Sequence, residues 1–162
     1  EERFKKLSIN NPNLLQRTLC YHGLATAAGI ILGVLLQTLL DFEITNVLLY
    51  YVSIVLIANT FVAIIGLLIV NFKDIGKFIA LILLVLQLAA AGGTFPIETV
   101  TKGFRWLHPI LPMTYTIDLL RESLVTIESK LLTHNFIIVF IIFIVFFGIN
   151  IAHDIVRQKK NK

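Results

Sequence analysis

The sequence predicts an all-α integral membrane domain: four transmembrane helices, with an external re-entrant or interfacial helical pair between the third and fourth. Three observations predict it. Hydrophobic residues make up 57% of the 162-residue chain and charged residues 15%, and the mean hydropathy is +0.85, a balance that soluble domains of this size do not reach. Four apolar runs have the length of about 17–25 residues that a helix needs to cross the hydrocarbon core. Between the last two runs lies Leu88–Leu124, too broken by Gly and Pro to cross as one helix and too apolar for a solvated loop. A membrane protein keeps such a segment at the interface or lining a cavity.

The spans fall at about 22–40, 47–70, 78–95 and 134–152. Their Ile and Val content suits strands, but unbroken runs of this length favour helices, because barrel strands alternate and are about half as long. Residues 1–21 read as a cytoplasmic loop in which Leu14, Leu15 and Leu19 allow a short interfacial helix. Residues 22–155 form the membrane domain, and 156–162 a basic cytoplasmic tail.

Lys and Arg set the orientation. Four spans put both termini on one side, together with Arg3, Lys5, Lys6, Arg17, Lys73, Lys77, Arg157, Lys159, Lys160 and Lys162. The opposite side holds only Lys102, Arg105, Arg121 and Lys130, and the 41–46 connection carries Asp41 and Glu43 with no base. Both termini and the 71–77 loop are therefore expected in the cytoplasm and Leu88–Leu124 outside. The net charge of +4 comes from bases flanking apolar runs, as in a multi-pass protein, so no nucleic-acid partner is inferred. The chain opens on Glu1-Glu2 without a signal-peptide pattern, which reads as a piece of a longer protein.

Within the spans the polar groups are few. Gly29 and Gly33 of the first span stand at the spacing that lets another helix approach closely. Asn59 in the second and Gln87 in the third are candidates either for interhelical hydrogen bonding or for a substrate pathway. No Asp, Glu, Lys or Arg sits in the middle of a span, which argues against a self-powered ion or proton carrier. His22, His108, His134 and His153 fall at span boundaries and read as interfacial polar tips.

No catalytic constellation emerges. The lone Cys20 matches no metal spacing. There is no phosphate-binding loop, no His-Glu-x-x-His and no Gly-x-Ser-x-Gly elbow. The chain is read as a non-enzyme without cofactor or metal. Glu98, Asp118 and Glu122 share the external segment but show no oriented partner for acid–base work.

The external segment resolves into pieces. Gly92-Gly93 ends the third span and Pro96 follows as a stop. Val100, Phe104 and Leu107 stand at helical spacing, with Trp106 as an aromatic anchor for the headgroup level. His108-Pro109 and Leu111-Pro112 predict extended breaks. A second helix follows, capped by Thr114, with an apolar stripe of Ile117, Leu120, Leu124 and Ile127. The pair, about 97–128, is either a spacer before the last span or a re-entrant cap over an exit route.

Gly92-Gly93-Thr94-Phe95-Pro96-Ile97, then Phe104-x-x-Leu107-His108-Pro109-x-Leu111-Pro112-Met113-Thr114-Tyr115, then Leu120-Arg121-Glu122 closely resembles the C-terminal membrane domain of the YhgE/Pip family. These phage infection protein relatives of Gram-positive bacteria belong to the ABC-2 type permease superfamily. The resemblance implies a six-span permease of which these are spans three to six, lacking the first span and a large extracellular region. It marks Gly92, Gly93, Pro96, Trp106, His108, Pro109, Pro112, Tyr115, Arg121 and Glu122 as a candidate external gating motif. It further implies export of an amphipathic or envelope-related substrate across the bacterial cytoplasmic membrane, by a homodimer or an assembly of related membrane subunits, driven by a separate cytoplasmic ATPase. The alternative is a membrane anchor or scaffold of a phage-receptor or type VII secretion-like protein that transports nothing itself.

Overall fold

A computed structural model describes residues 14–40, 44–93, 102–125 and 129–160. The described chain is helical, and no strand occurs among these residues. Its order is α1 (Leu14–Leu40), α2 (Val47–Ala90), α3 (Lys102–Arg105), a 3-10 turn (His108–Ile110), α4 (Pro112–Val125) and α5 (Ser129–Lys160). Among the described residues three helices, α1, α2 and α5, are long and apolar enough to cross a membrane.

The helix α1 starts at Leu14, so residues 14–21, expected in a loop, continue the first span. At 27 residues it is about 40 Å long, more than the ~30 Å hydrocarbon core requires. The helix α5 likewise overruns its predicted limits of 134 and 152 at both ends. Asn46 opens α2 as its N-cap, accepting from the Leu49 amide at 3.1 Å.

The 44 residues of α2 are not one rod. Lys73 sits at φ 50°, ψ −119°, outside any helical region. Three residues on, a Cβ at Gly76 would collide with the carbonyl oxygen of Leu68 and lie 3.1 Å from Ile69 Cα. Residues eight apart in a straight helix are about 12 Å apart, so the chain doubles back at Lys73. Two arms, 47–72 and 74–90, result. The connection lies where the sequence breaks its apolar run with Asn71, Lys73, Asp74 and Lys77. Lys77 donates to Asp74 at 2.8 Å, and that bond together with the ammonium charge holds the Asp74 carboxyl below its ordinary value. Acid that protonates Asp74 removes the pair, an exposed contact of small energetic weight.

The bundle closes around α2, which packs against α1, α4 and α5. Gly29 and Gly33 face the first arm of α2: a Cβ at Gly29 would stand 3.3 Å from Ile54 Cγ2, and one at Gly33 3.0 Å from Ile54 Cδ1 and Tyr51 Cε1. The close approach expected of that pair is thus made, and Tyr50 adds a bond to the Gly33 carbonyl at 3.3 Å. A second contact joins Leu56, Leu119 and Val139 from α2, α4 and α5. The amide of Thr45 meets the Leu124 carbonyl at 3.4 Å, so the α1–α2 connection and the end of α4 share one end of the bundle. Thr18 and Asp154, bonded at 2.6 Å, bring the start of α1 and the end of α5 together at the other.

The buried face of α4 differs from the predicted stripe. Leu119 is fully buried and Thr116 and Ser123 flank it, whereas Ile117, Leu120 and Leu124 are half-buried. The helix is held from two sides, by α2 and α5, so a one-sided apolar stripe does not describe it. Thr116 and Ser123 can be buried because their hydroxyls donate to the carbonyls of Met113 (3.0 Å) and Leu120 (2.7 Å). Ile127 lies outside the described residues.

Candidate functional site: a clasp at the end of α2 and a polar cluster within the bundle

The motif residues gather at the end of α2. Gly92 holds φ +75°, the left-handed conformation that lets the chain leave a helix. His108 donates from Nδ1 to the Ala90 carbonyl at 2.9 Å, and Arg121 Nη2 donates to the Gly92 carbonyl at 3.3 Å. Two side chains from later in the sequence therefore occupy the carbonyl end of α2, where the Arg121 charge is favoured. Gly93 sits under α4: a Cβ there would lie 2.6 Å from Ile117 Cδ1.

The turn that delivers His108 is tied to α4. Thr114 Oγ1 donates to the His108 carbonyl at 2.6 Å and the Tyr115 hydroxyl to the Pro109 carbonyl at 2.7 Å. Thr114 is thus the third residue of α4 rather than its cap. Pro112 starts the helix, where its missing N–H costs nothing, and Leu111 before it is extended (φ −77°, ψ 127°). The break expected at His108-Pro109 does not form. His108–Ile110 is a 3-10 turn closed by the Ile110 amide on the Leu107 carbonyl at 2.9 Å, and the preference of pre-proline residues for extended backbone yields to those bonds.

Of the predicted external set, Gly92, Gly93, His108, Pro109, Pro112, Tyr115 and Arg121 form this clasp. Trp106 stands apart, 61% exposed, and Glu122 is half-buried on α4. Pro96 lies outside the described residues, as does the predicted helical start at 97–101.

A second polar cluster lies within the bundle. Asn59 Nδ2 donates to Thr26 Oγ1 (2.9 Å) and to the Val55 carbonyl (2.8 Å). Its Oδ1 faces His22 Nδ1 at 2.7 Å, so the imidazole donates. Thr26 Oγ1 in turn donates to the His22 carbonyl at 2.9 Å. Phe147 and Phe143 of α5 meet the ring edge-on, with centroids 4.7 and 5.9 Å away. The His22 ring is therefore turned into the bundle. It pairs with a residue twelve positions into α2 and packs between α2 and α5. The missed signal was spacing: Thr18, His22 and Thr26 stand four apart, one face of one helix, and each of them bonds a side chain from another helix or its own backbone there.

Gln87 is buried, and its Nε2 has no partner among the described residues. Asn150 anchors α5 to α2 by donating to the Ala63 carbonyl at 2.8 Å. Among the described residues no group of His, Cys, Asp and Glu could hold a metal. What the arrangement offers is hydrogen bonding between helices.

Replacing Asn59 with Leu removes both of its bonds to α1 and strands the His22 N–H. Interhelical hydrogen bonds in membranes contribute on average about 0.6 kcal/mol each, so a loss of about 1–2 kcal/mol is expected. Thermal unfolding in detergent should show a fall of roughly 3–6 °C. An unchanged midpoint would contradict the His22–Asn59–Thr26 geometry.

Residues 2–125 match the ABC-2 type transporter family. The "Uncharacterized protein YhgE" of Bacillus subtilis (strain 168) is 39% identical over 94 residues, which cover 56% of this chain and 12% of that protein. The chain thus spans a small part of the length of this curated relative. No solved structure matches. The matched stretch takes in α1, both arms of α2 and the clasp, and on that ground the chain belongs to the ABC-2 type transporter family.

Proposed function

We propose that this chain is the permease part of an exporter. The observation that carries the proposal is the family match over residues 2–125, a stretch that contains α1, α2 and α4. In this reading the two arms of α2 cross separately, which makes four spans with α1 and α5. The bases counted at the termini and at 71–77 put those segments in the cytoplasm, and the clasp lies outside. A separate ATPase engages residues 1–20 and the 71–77 reversal, two copies of the membrane domain work together, and the cargo is an amphipath of the bacterial envelope. The clasp joins the end of one span to α4, so a shift of the α2 arm is passed to the external helix and opens or closes the exit.

The test uses inside-out membrane vesicles from cells making the full-length protein, with a fluorescent short-chain phospholipid as probe. ATP-dependent probe movement should exceed that of vesicles without the protein, and the double variant Lys73→Glu, Lys77→Glu should lower it at least tenfold. Equal rates with and without the protein overturn the export reading. Export left intact in the double variant overturns the placing of the ATPase contact at this loop.

A further inference from the structure

One turn away from the apolar contact of Leu56, Leu119 and Val139, the interior of the bundle becomes polar. Toward the end where the Thr45 amide meets the Leu124 carbonyl, the next inward positions are Ser53 on α2 and Ser123 on α4. The helix α5 runs in the same direction as the first arm of α2, since Val139 meets Leu56 and, further along both, Asn150 bonds the Ala63 carbonyl. Its next position toward that end is Asn135. Residues three or four apart on a helix have Cβ atoms about 5–6 Å apart, so Ser53, Ser123 and Asn135 form one layer. All three are buried.

Gln87 joins them from the second arm of α2. Gly76 lies against Leu68, and eleven residues, about three turns, carry the same face on to Gln87. The same eleven residues counted back from Leu68 along the antiparallel first arm reach Ile57, one turn from Ser53 and itself packed on the Leu56 contact.

Three of these four buried side chains end in an atom that bonds nothing among the described residues: Ser53 Oγ, Gln87 Nε2 and Asn135 Nδ2. A helix offers each Ser or Thr hydroxyl a carbonyl one turn back. The buried hydroxyls of Thr60, Thr116 and Ser123 take it, at 2.8, 3.0 and 2.7 Å, and the Ser53 hydroxyl does not. Unmet polar groups in a protein interior are rare and costly, and here three helical segments bring them within about one turn of each other. Two amide donors need an acceptor, and Ser123 Oγ, its proton already given to Leu120, can only accept. An ion does not suit the site, because all four groups are neutral and a buried charge needs a partner. An apolar chain would leave the donors unmet. Water donates and accepts at once and makes about three bonds in such sites.

We propose that Ser53, Gln87, Asn135 and Ser123 hold ordered water inside the bundle at the seat of α4. The water accepts from the two amides and donates to the Ser123 oxygen. At this level α4 is tied to its neighbours through water, whose bonds re-form as a helix shifts, so α4 can move without stranding a buried polar group. The proposal goes beyond the export reading and does not depend on it.

The experiment exposes the full-length protein, in phosphatidylcholine–phosphatidylglycerol vesicles without ATP, to brief X-ray radiolysis. Radicals formed from water in place oxidise the side chains beside it, and peptide mass spectrometry maps them. Leu56, Leu119 and Val139 should be oxidised at least fivefold faster than Ile31 and Ile144, which are exposed on the outside of the bundle. Ser53→Ala should slow oxidation of those three at least threefold and leave Ile31 and Ile144 unchanged, and Ser53→Thr, which keeps the hydroxyl, should restore it. The contrast within the unmodified protein stands even if a variant does not fold. Oxidation of Leu56, Leu119 and Val139 no faster than that of Ile31 and Ile144 overturns the proposal, because the layer is then dry. Fast oxidation that Ser53→Ala leaves unchanged overturns the assignment of the water to this layer. A dry layer leaves ATP-dependent probe movement untouched, and absence of that movement leaves the hydration site standing.

Discussion

Replacing Gly76 with Ala should lower the thermal midpoint by roughly 10 °C, more than any other single methyl addition in the chain. The new Cβ would collide with the Leu68 carbonyl oxygen and stand 2.6 Å from the Leu68 carbonyl carbon. Both are backbone atoms, so no side chain can rotate away, and the arms of α2 must part. Overpacking of this kind costs about 3 kcal/mol at its upper range, and a chain of this size loses about 2–4 °C per kcal/mol. The companion change Lys73→Gly should act in the opposite direction. Its residue holds a φ of 50°, which glycine adopts without strain, so a gain of about 0.5–1 kcal/mol is expected. Both variants can be read by thermal unfolding in detergent. If Gly76→Ala melts with the parent, α2 does not reverse at this point.

The second large effect is expected at Leu119. Its side chain is fully buried between Leu56 and Val139, and it is the contact that joins α4 to both α2 and α5. Leu119→Ala leaves a cavity where three helices meet, at a cost of about 2–3 kcal/mol, the lower part of the range for buried Leu. Within a bilayer this loss is of packing contacts, since lipid chains are as apolar as Leu. The chain has a single tryptophan, and exposed Trp106 precedes His108 by two residues in the segment that leads into α4, so its emission is a second readout. A lower midpoint together with a shift of Trp106 emission is expected, along with loss of ATP-dependent probe movement if α4 governs the exit. Normal stability would contradict the three-helix contact. Lowered stability with unchanged transport would leave α4 a structural brace.

Much of this was readable from the chain. Apolar runs of sufficient length dictate helices, because a backbone in hydrocarbon must satisfy its own hydrogen bonds. The polar interruption at Asn71–Lys77 located the reversal, and Gly29 with Gly33 located the close approach of α1 to α2, because a missing Cβ acts at the position where it is missing. The order of Gly92-Gly93, His108-Pro109 and Leu111-Pro112 marked the clasp and its family. Boundaries were less legible. Lipid-facing and interface-facing residues on a membrane helix are equally apolar, so hydropathy gives no edge at Leu14 and no face for α4.

Composition, the spacing of apolar runs and the residue order of one motif thus determined by themselves that this chain is a helical membrane domain of transporter type. The tertiary structure alone decided that His22 belongs inside the bundle with Asn59, that Leu119 rather than the Ile117–Leu124 stripe is the seat of α4, and that His108 and Arg121 close the end of α2. Each is a contact between residues at least 18 positions apart. Local sequence sets the conformation of a segment, but which carbonyl a distant side chain meets depends on how the helices pack, and that is settled by the shape of the whole bundle.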